Sequence, residues 1–299
     1  MTARPVARAA ALGGIAWMVL ATACQGVSSG SVRLLTADIN VFELVFFQSV
    51  IAIVLMTPLV RRLPAGSLAR ARRRAGLYVV RAVLYYLGAL ASFFAFSQLD
   101  IANVQALLFT VPVFTILLAS LMLRERVGMR DWVACAVGFI GALIIVRPGV
   151  IPMNVGALSA LGAACAYAFA NIVIRKLATT EDAVLITVIG NVIVLPIAAI
   201  PAAFVWVTPD WTHVPWILAL GVFFVLAQFS LARSIGAADA RIVQPFNFMR
   251  LLWAALVGWL MFNEFPDALT WIGAGVIFVG SWDVLRRETR RPTPDDRVS

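Results

Sequence analysis

Histidine is almost missing from this 299-residue chain, which has one, and acid is scarce, with 15 Asp and Glu against 24 Lys and Arg. The lone His213 falls in a predicted loop, which excludes a histidine metal cluster and a His-based catalytic triad. The three cysteines, Cys24, Cys135 and Cys165, lie in separate apolar runs. They are too few and too scattered for a disulfide framework or a zinc site, and read as small packing residues. No glycine-rich nucleotide-binding loop is present, so the chain alone is not an ATP-driven pump, and neither an enzyme nor a cofactor is expected. Only 13% of residues are charged, against roughly 25% in a soluble globule.

What the chain has instead is apolar length. Hydrophobic residues make up 62% of it, in runs of about 18–23 residues, long enough to cross a bilayer as α-helices. Lipid offers no partners to the backbone, so each run must be a helix that satisfies its own N–H and C=O groups. Ten spans are predicted, near 10–32, 41–60, 77–97, 101–123, 132–147, 155–175, 183–205, 216–235, 241–262 and 268–285. The fold class is all-α, and no soluble domain fits in the short loops.

The net charge of +9 could point to nucleic acid, but the charges sit between the spans. That placement follows the positive-inside rule and calls for a bilayer and a small-molecule substrate as partners, with no nucleic acid. Arg61, Arg62, Arg70, Arg72, Arg73 and Arg74 mark one face as cytoplasmic. Arg124, Arg126, Arg130, Arg175, Lys176 and the arginines after Trp282 then join them, leaving Arg33 and Arg147 outside. An even count puts both termini in the cytoplasm, for a multi-pass protein of the inner membrane. The first span resembles a cleaved leader ending at Cys24, but its apolar run continues to Leu35, so it is read as a span. Residues 288–299, rich in Pro, Arg and Asp, read as a disordered tail.

A shift of 139 residues brings Asp100 onto Asp239, Gln105 onto Gln244, Phe109 onto Phe248, Glu125 onto Glu264 and Trp132 onto Trp271 without a gap. Matched polar and tryptophan residues are not expected by chance in apolar helices. The first span matches the sixth at a shift of 141, where Leu20, Ala23 and Cys24 meet Leu161, Ala164 and Cys165. Two units result, 10–148 and 152–287. Five spans each means the second copy enters the membrane from the opposite side, the inverted-repeat plan of alternating-access transporters.

The stretch Asp100 to Pro112, Glu125 and Val127, Gly138 and Gly141, and Pro148-Gly149, repeated as Gly258 to Phe262, Glu264, Gly273 and Gly275, resembles the EamA-type unit of the drug/metabolite transporter superfamily. The resemblance spans nearly the whole chain. It implies a ten-helix transporter whose central cavity is lined mainly by spans 1, 3, 4, 6, 8 and 9. It also implies export of amino acids and related metabolites, or uptake of vitamins and S-adenosylmethionine. Gln48 stands where many members carry arginine, and Leu251 where the repeat places a proline matching Pro112.

Arg250 is the sharpest single residue, about nine positions into the ninth span and so close to mid-membrane. A central arginine costs about 2.5–3.5 kcal/mol to insert and faces a cavity or the bundle interior. It either offers its fork to a substrate carboxylate or holds helix-end carbonyls or a distant acid. Gln244, Asn247 and Arg250 share one arc of that span. The other cavity candidates are Gln25, Ser28 and Ser29 on span 1, Tyr86 with its neighbour Tyr85 on span 3, Thr110 on span 4, Tyr167 and Asn171 on span 6 and Gln228 on span 8. Each could equally be interhelical glue worth about 0.6 kcal/mol. Arg81 lies near a cytoplasmic helix end and is expected to snorkel. Glu125 and Glu264 are expected to fix helix-end geometry or a gate. Ala134, Gly138 and Ala142 allow close packing within a monomer or a weak homodimer.

The expected function is secondary transport of small metabolites, foremost export of amino acids or related zwitterions by alternating access. The alternative is uptake of riboflavin-like or S-adenosylmethionine-like metabolites. Cationic drug efflux ranks below both, because no span interior holds an acid to exchange protons for cations.

Overall fold

A computed structural model describes residues 3–60, 67–111, 113–115, 117–118, 129, 133, 136–137, 140–141, 143–144, 155–178, 181, 183–237, 246–247 and 249–288. All regular structure among them is helical. In chain order the helices are α1 (Ala3–Leu35), α2 (Val41–Val60), α3 (Ser67–Arg73), α4 (Ala75–Gln98) and α5 (Ile101–Leu108). Then come α6 (Val155–Ala178), α7 (Ala183–Phe204), α8 (Val214–Ala237), α9 (Met249–Phe262) and α10 (Ala268–Glu288). Six of them, α1, α2, α4, α6, α7 and α8, are long and apolar enough to cross a membrane. The predicted fifth span, 132–147, lies largely outside the described residues, as do Glu125, Gln244 and the tail beyond 288.

Outward-facing positions are apolar, as a lipid-facing surface requires. Val79, Val80, Val83 and Leu87 line the outer side of α4, and Leu252, Leu256, Trp259 and Leu260 that of α9. The short helix α3 carries Arg70, Arg72 and Arg73, and it buries Ala71 against the cluster formed by Tyr78, Leu177 and Leu185. Arg74 closes this end by donating to the Lys176 carbonyl at 3.1 Å.

The principal helix contacts pair up when the halves are exchanged. Helix α1 packs along α8 while α6 packs along α4, and α1 meets α9 while α6 meets α5. The α2–α8 contact is matched by α4–α7, and both α2–α7 and α5–α9 join equivalent helices. Small residues set the closest approach. Gly26 and Gly30 lie one turn apart on α1, where an added Cβ would come within 2.9 Å of Trp253 and 2.5 Å of Val257 on α9. This small-xxx-small face lets two membrane helices touch nearly backbone to backbone. Hydroxyls add cross-links: Ser28 donates to the Leu220 carbonyl at 3.2 Å, Ser234 to Gly14 at 2.7 Å and Ser159 to Ala91 at 2.8 Å.

The ninth span is described only in part, since 241–245 and 248 lie outside the described residues. Span nine was predicted from 241, yet among the described residues the α-helix runs from Met249, after a 3₁₀ turn at 246–247. Its repeat mate α5 ends at Leu108, and a turn follows at 109–110. Phe109 and Phe248, or Val111 and Arg250, are equivalent positions. In the repeat the α5 turn at 109–110 falls opposite 248–249, beside the 3₁₀ turn at 246–247, and irregular backbone of this kind lines sites in transporters.

Candidate functional site

The helix interruptions open onto a cavity of about 390 Å³ between the two halves. At one end are Gln25 and Ser29 of α1, Gln105 of α5, and Asn247 and Arg250 around the start of α9. Arg250 stands in the first turn of α9, twelve residues before Phe262, or ~18 Å from that helix end at 1.5 Å per residue.

A hydrogen-bond chain fixes Arg250. Its Nε donates to Gln105 Oε1, Gln105 Nε2 donates to Ser29 Oγ at 2.6 Å, and Ser29 Oγ donates to the Gln25 carbonyl at 2.9 Å. Gln105 is only 1% exposed, so the chain is sealed on its protein side. Among the described residues no carboxylate pairs with Arg250, which itself lines the cavity.

The opposite wall is aromatic. Tyr167 of α6 packs its ring on Gly88 of α4, where a Cβ would come within 2.7 Å, and its hydroxyl meets Ser92 at 3.1 Å. The rings of Tyr85 and Tyr167 are 5.9 Å apart, and those of Tyr85 and Phe224 are 6.4 Å apart. Asn171, Gln48 and Gln228 add amides. Beyond Tyr85 lies Arg81, with Cζ 6.0 Å from the Tyr85 ring centre. The expectation that Arg81 snorkels is corrected here. It is 7% exposed, lines the cavity and donates from Nη1 to the Ile186 carbonyl of α7 at 3.1 Å. Gly190 makes the room, since a Cβ there would overlap the guanidinium.

Of the residues anticipated from sequence, Gln25, Ser29, Tyr167 and Asn171 line this cavity, as do Gln228, Asn247 and Arg250. Tyr86 instead packs into the hydrophobic core, and its neighbour Tyr85 lines the cavity. Thr110 is 2% exposed and donates back to the Leu107 carbonyl at 2.7 Å. Gln244 lies outside the described residues. Gln105, Gln48 and Ser92 were not anticipated. A signal for Gln105 was available, because its match with Gln244 is a polar identity inside an apolar span.

One residue beyond Val32 of the cavity wall, the helix ends are tied together. Arg33 donates to the carbonyls of Phe96 and Ser97 at 2.9 and 2.8 Å, the exposed C-terminus of α4. It also pairs with Glu264 at 3.1 Å, whose other oxygen accepts from Ile101 N at the start of α5, at 3.2 Å. Glu264 is aimed by a turn at the end of α9. Asn263 adopts φ 56°, and Glu264 N–H returns to the Gly258 carbonyl at 3.0 Å, a left-handed helix ending that asparagine tolerates. Burial pushes the Glu264 carboxyl above the usual range, against the opposing pull of the Ile101 amide and Arg33.

A model of the EamA-like transporter family matches residues 12–147 and again 154–286. A riboflavin transporter of Vibrio cholerae serotype O1 is 32% identical over 82% of this chain and 84% of its own length. An S-adenosylmethionine uptake transporter of Rickettsia prowazekii is 25% identical over 93% and 94%. The pseudopaline exporter CntI of Pseudomonas aeruginosa is 31% identical over 92% and 96%. A solved structure with 16% identity, covering 95% of this chain and 99% of that one, shares the fold at a TM-score of 0.60.

Proposed function

The chain belongs to the EamA-like transporter family, and on that premise we propose that it carries a planar, polar metabolite of about the size of a flavin through the Arg250 cavity. The observation that carries this reading is the pairing of an oriented guanidinium, with no carboxylate partner among the described residues, with a tyrosine wall in a space of about 390 Å³. Cavities of roughly 300–1,000 Å³ take drug-sized ligands, larger than a single amino acid. A flavin offers a flat ring system to Tyr85 and Tyr167, and carbonyl and imide groups to the amides and arginine. The riboflavin transporter among the relatives supports it.

Export of amino acids or related zwitterions is the second reading. Arg250 favours it, since a guanidinium fork suits a carboxylate. Cargo with a net positive charge, S-adenosylmethionine included, is disfavoured: two arginines and no carboxylate line the cavity among the described residues.

The mechanism we propose is alternating access. Ten spans form two inverted units, 10–148 and 152–287, in the inner membrane with both termini cytoplasmic, and the Arg33–Glu264 end faces outward. The exchange symmetry of the helix contacts supports this, because two halves of like structure give two states of like energy. The cavity then opens to one side at a time. Counterflow in proteoliposomes with labelled riboflavin, S-adenosylmethionine and a panel of amino acids tests it. Riboflavin is expected to exchange, and exchange of amino acids alone would move the conclusion to the second reading.

A further inference from the structure

The cavity has two guanidiniums, and the proposed function uses one. Arg81 comes from α4 in the first half and Arg250 from α9 in the second. The tyrosines stand between them. Along α4, Arg81 precedes Gly88, the seat of the Tyr167 ring, by seven residues, or ~10 Å. Ser92, which holds the Tyr167 hydroxyl, is four residues further on. Tyr167 and Arg250 line the same cavity.

Arg81 is more than nine-tenths buried, yet its hydrogen bonding is incomplete. Nη1 reaches the Ile186 carbonyl, while Nε has no partner among the described residues. No carboxylate pairs with it there, and it lines the same cavity as Arg250. A purely structural clamp between α4 and α7 needs only the Ile186 contact and does not need a guanidinium edge on the cavity. Two like charges in one membrane cavity, with no acid among its described lining residues, leave a site whose natural complement is negative charge at both ends.

We propose that Arg81 is a second anion subsite, so that the preferred cargo is a planar body with an anionic or strongly negative acceptor group at each end, one on Arg250 and one on Arg81. The inference rests on the transport reading above and narrows its substrate class. The flat middle of the ligand lies against Tyr85 and Tyr167, and singly anionic congeners engage one arginine only.

The test is binding of a matched pair of probes to purified full-length protein in nanodiscs. Naphthalene-2,6-dicarboxylate has a carboxylate at each end of a flat ring, and 2-naphthoate has one. The wild type is expected to bind the diacid at least tenfold tighter than the monoacid. Arg81→Gln should bring that ratio to about one while leaving monoacid affinity within about threefold. Gly190→Ala keeps the charge but pushes the guanidinium off its seat, and should lower the ratio too, which covers the case in which Arg81→Gln fails to fold. A wild-type ratio near one, or a ratio unchanged in a folded variant, overturns the proposal. The transport reading is judged separately by wild-type counterflow, so a flat ratio with active riboflavin exchange sinks the second subsite alone.

Discussion

Gln105 is the joint between Arg250 and α1, and its removal has a calculable effect. Gln105→Leu deletes one bond to a charged guanidinium and one to the Ser29 hydroxyl. The first is worth about 1.5–3 kcal/mol and the second about 0.5–1.5 kcal/mol. Water entering from the cavity recovers part of the first, since Arg250 itself lines that space. A loss of about 2 kcal/mol in cargo affinity remains, or roughly 30-fold at 1.4 kcal/mol per decade. It should appear as a raised KM in counterflow, while thermal unfolding of the purified protein shifts only modestly. Gln105→Glu separates orientation from charge. It keeps the acceptor for Arg250 but supplies the anion that cargo would bring, so transport should collapse although the fold holds. If both variants exchange cargo with wild-type KM, Arg250 is not read by the cargo in the way its hydrogen bonds imply.

Other outcomes follow from the same geometry. Glu264, held by Arg33 and Ile101 N in a buried site, keeps its proton to higher pH than a solvated glutamate, because desolvation outweighs both partners. Protonation favours the conformation with the higher pKa, so the tied end should close more firmly as pH falls towards 5 and loosen as it rises. Labelling of a cysteine placed at Val32, compared at pH 5 and 8 and abolished as a pH effect in Glu264→Gln, measures it. Gly30→Leu forces a side chain into Val257 and Met261 and should destabilise the α1–α9 contact by about 1–3 kcal/mol, read as a lower unfolding temperature in detergent. Tyr167→Phe loses only the Ser92 contact, about 0.6 kcal/mol and so about threefold in KM, whereas Tyr167→Ala removes the ring and should cost more than tenfold.

Hydropathy and turn signals place the long helices to within a few residues, except that α1 begins at Ala3 and not near 10. Spans expected at 41–60, 155–175 and 183–205 are Val41–Val60, Val155–Ala178 and Ala183–Phe204. An apolar run reports whether a segment can cross lipid, and that question is local. The basic stretch before α4 has the hydropathy of a loop yet holds the short helix α3, because arginines forming a surface helix leave no apolar run to detect. In the site, Tyr85 and Tyr86 are adjacent on α4, and only the neighbouring helices decide which ring meets the cavity. Arg81 illustrates the limit most clearly. Its distance from the helix end implied snorkelling, but the seat that holds it inward is Gly190 and the Ile186 carbonyl, over a hundred residues away. Gln105 was legible in the repeat, although its partner Arg250 breaks that repeat by facing Val111.

The central claim is that cargo crosses by way of the Arg250 cavity. Riboflavin counterflow into proteoliposomes, run side by side for the wild type, Arg250→Gln and an empty-liposome control, tests it most directly. Exchange well above control is expected for the wild type, with a drop to near control for a folded Arg250→Gln protein. Exchange at the wild-type rate in that variant would contradict it.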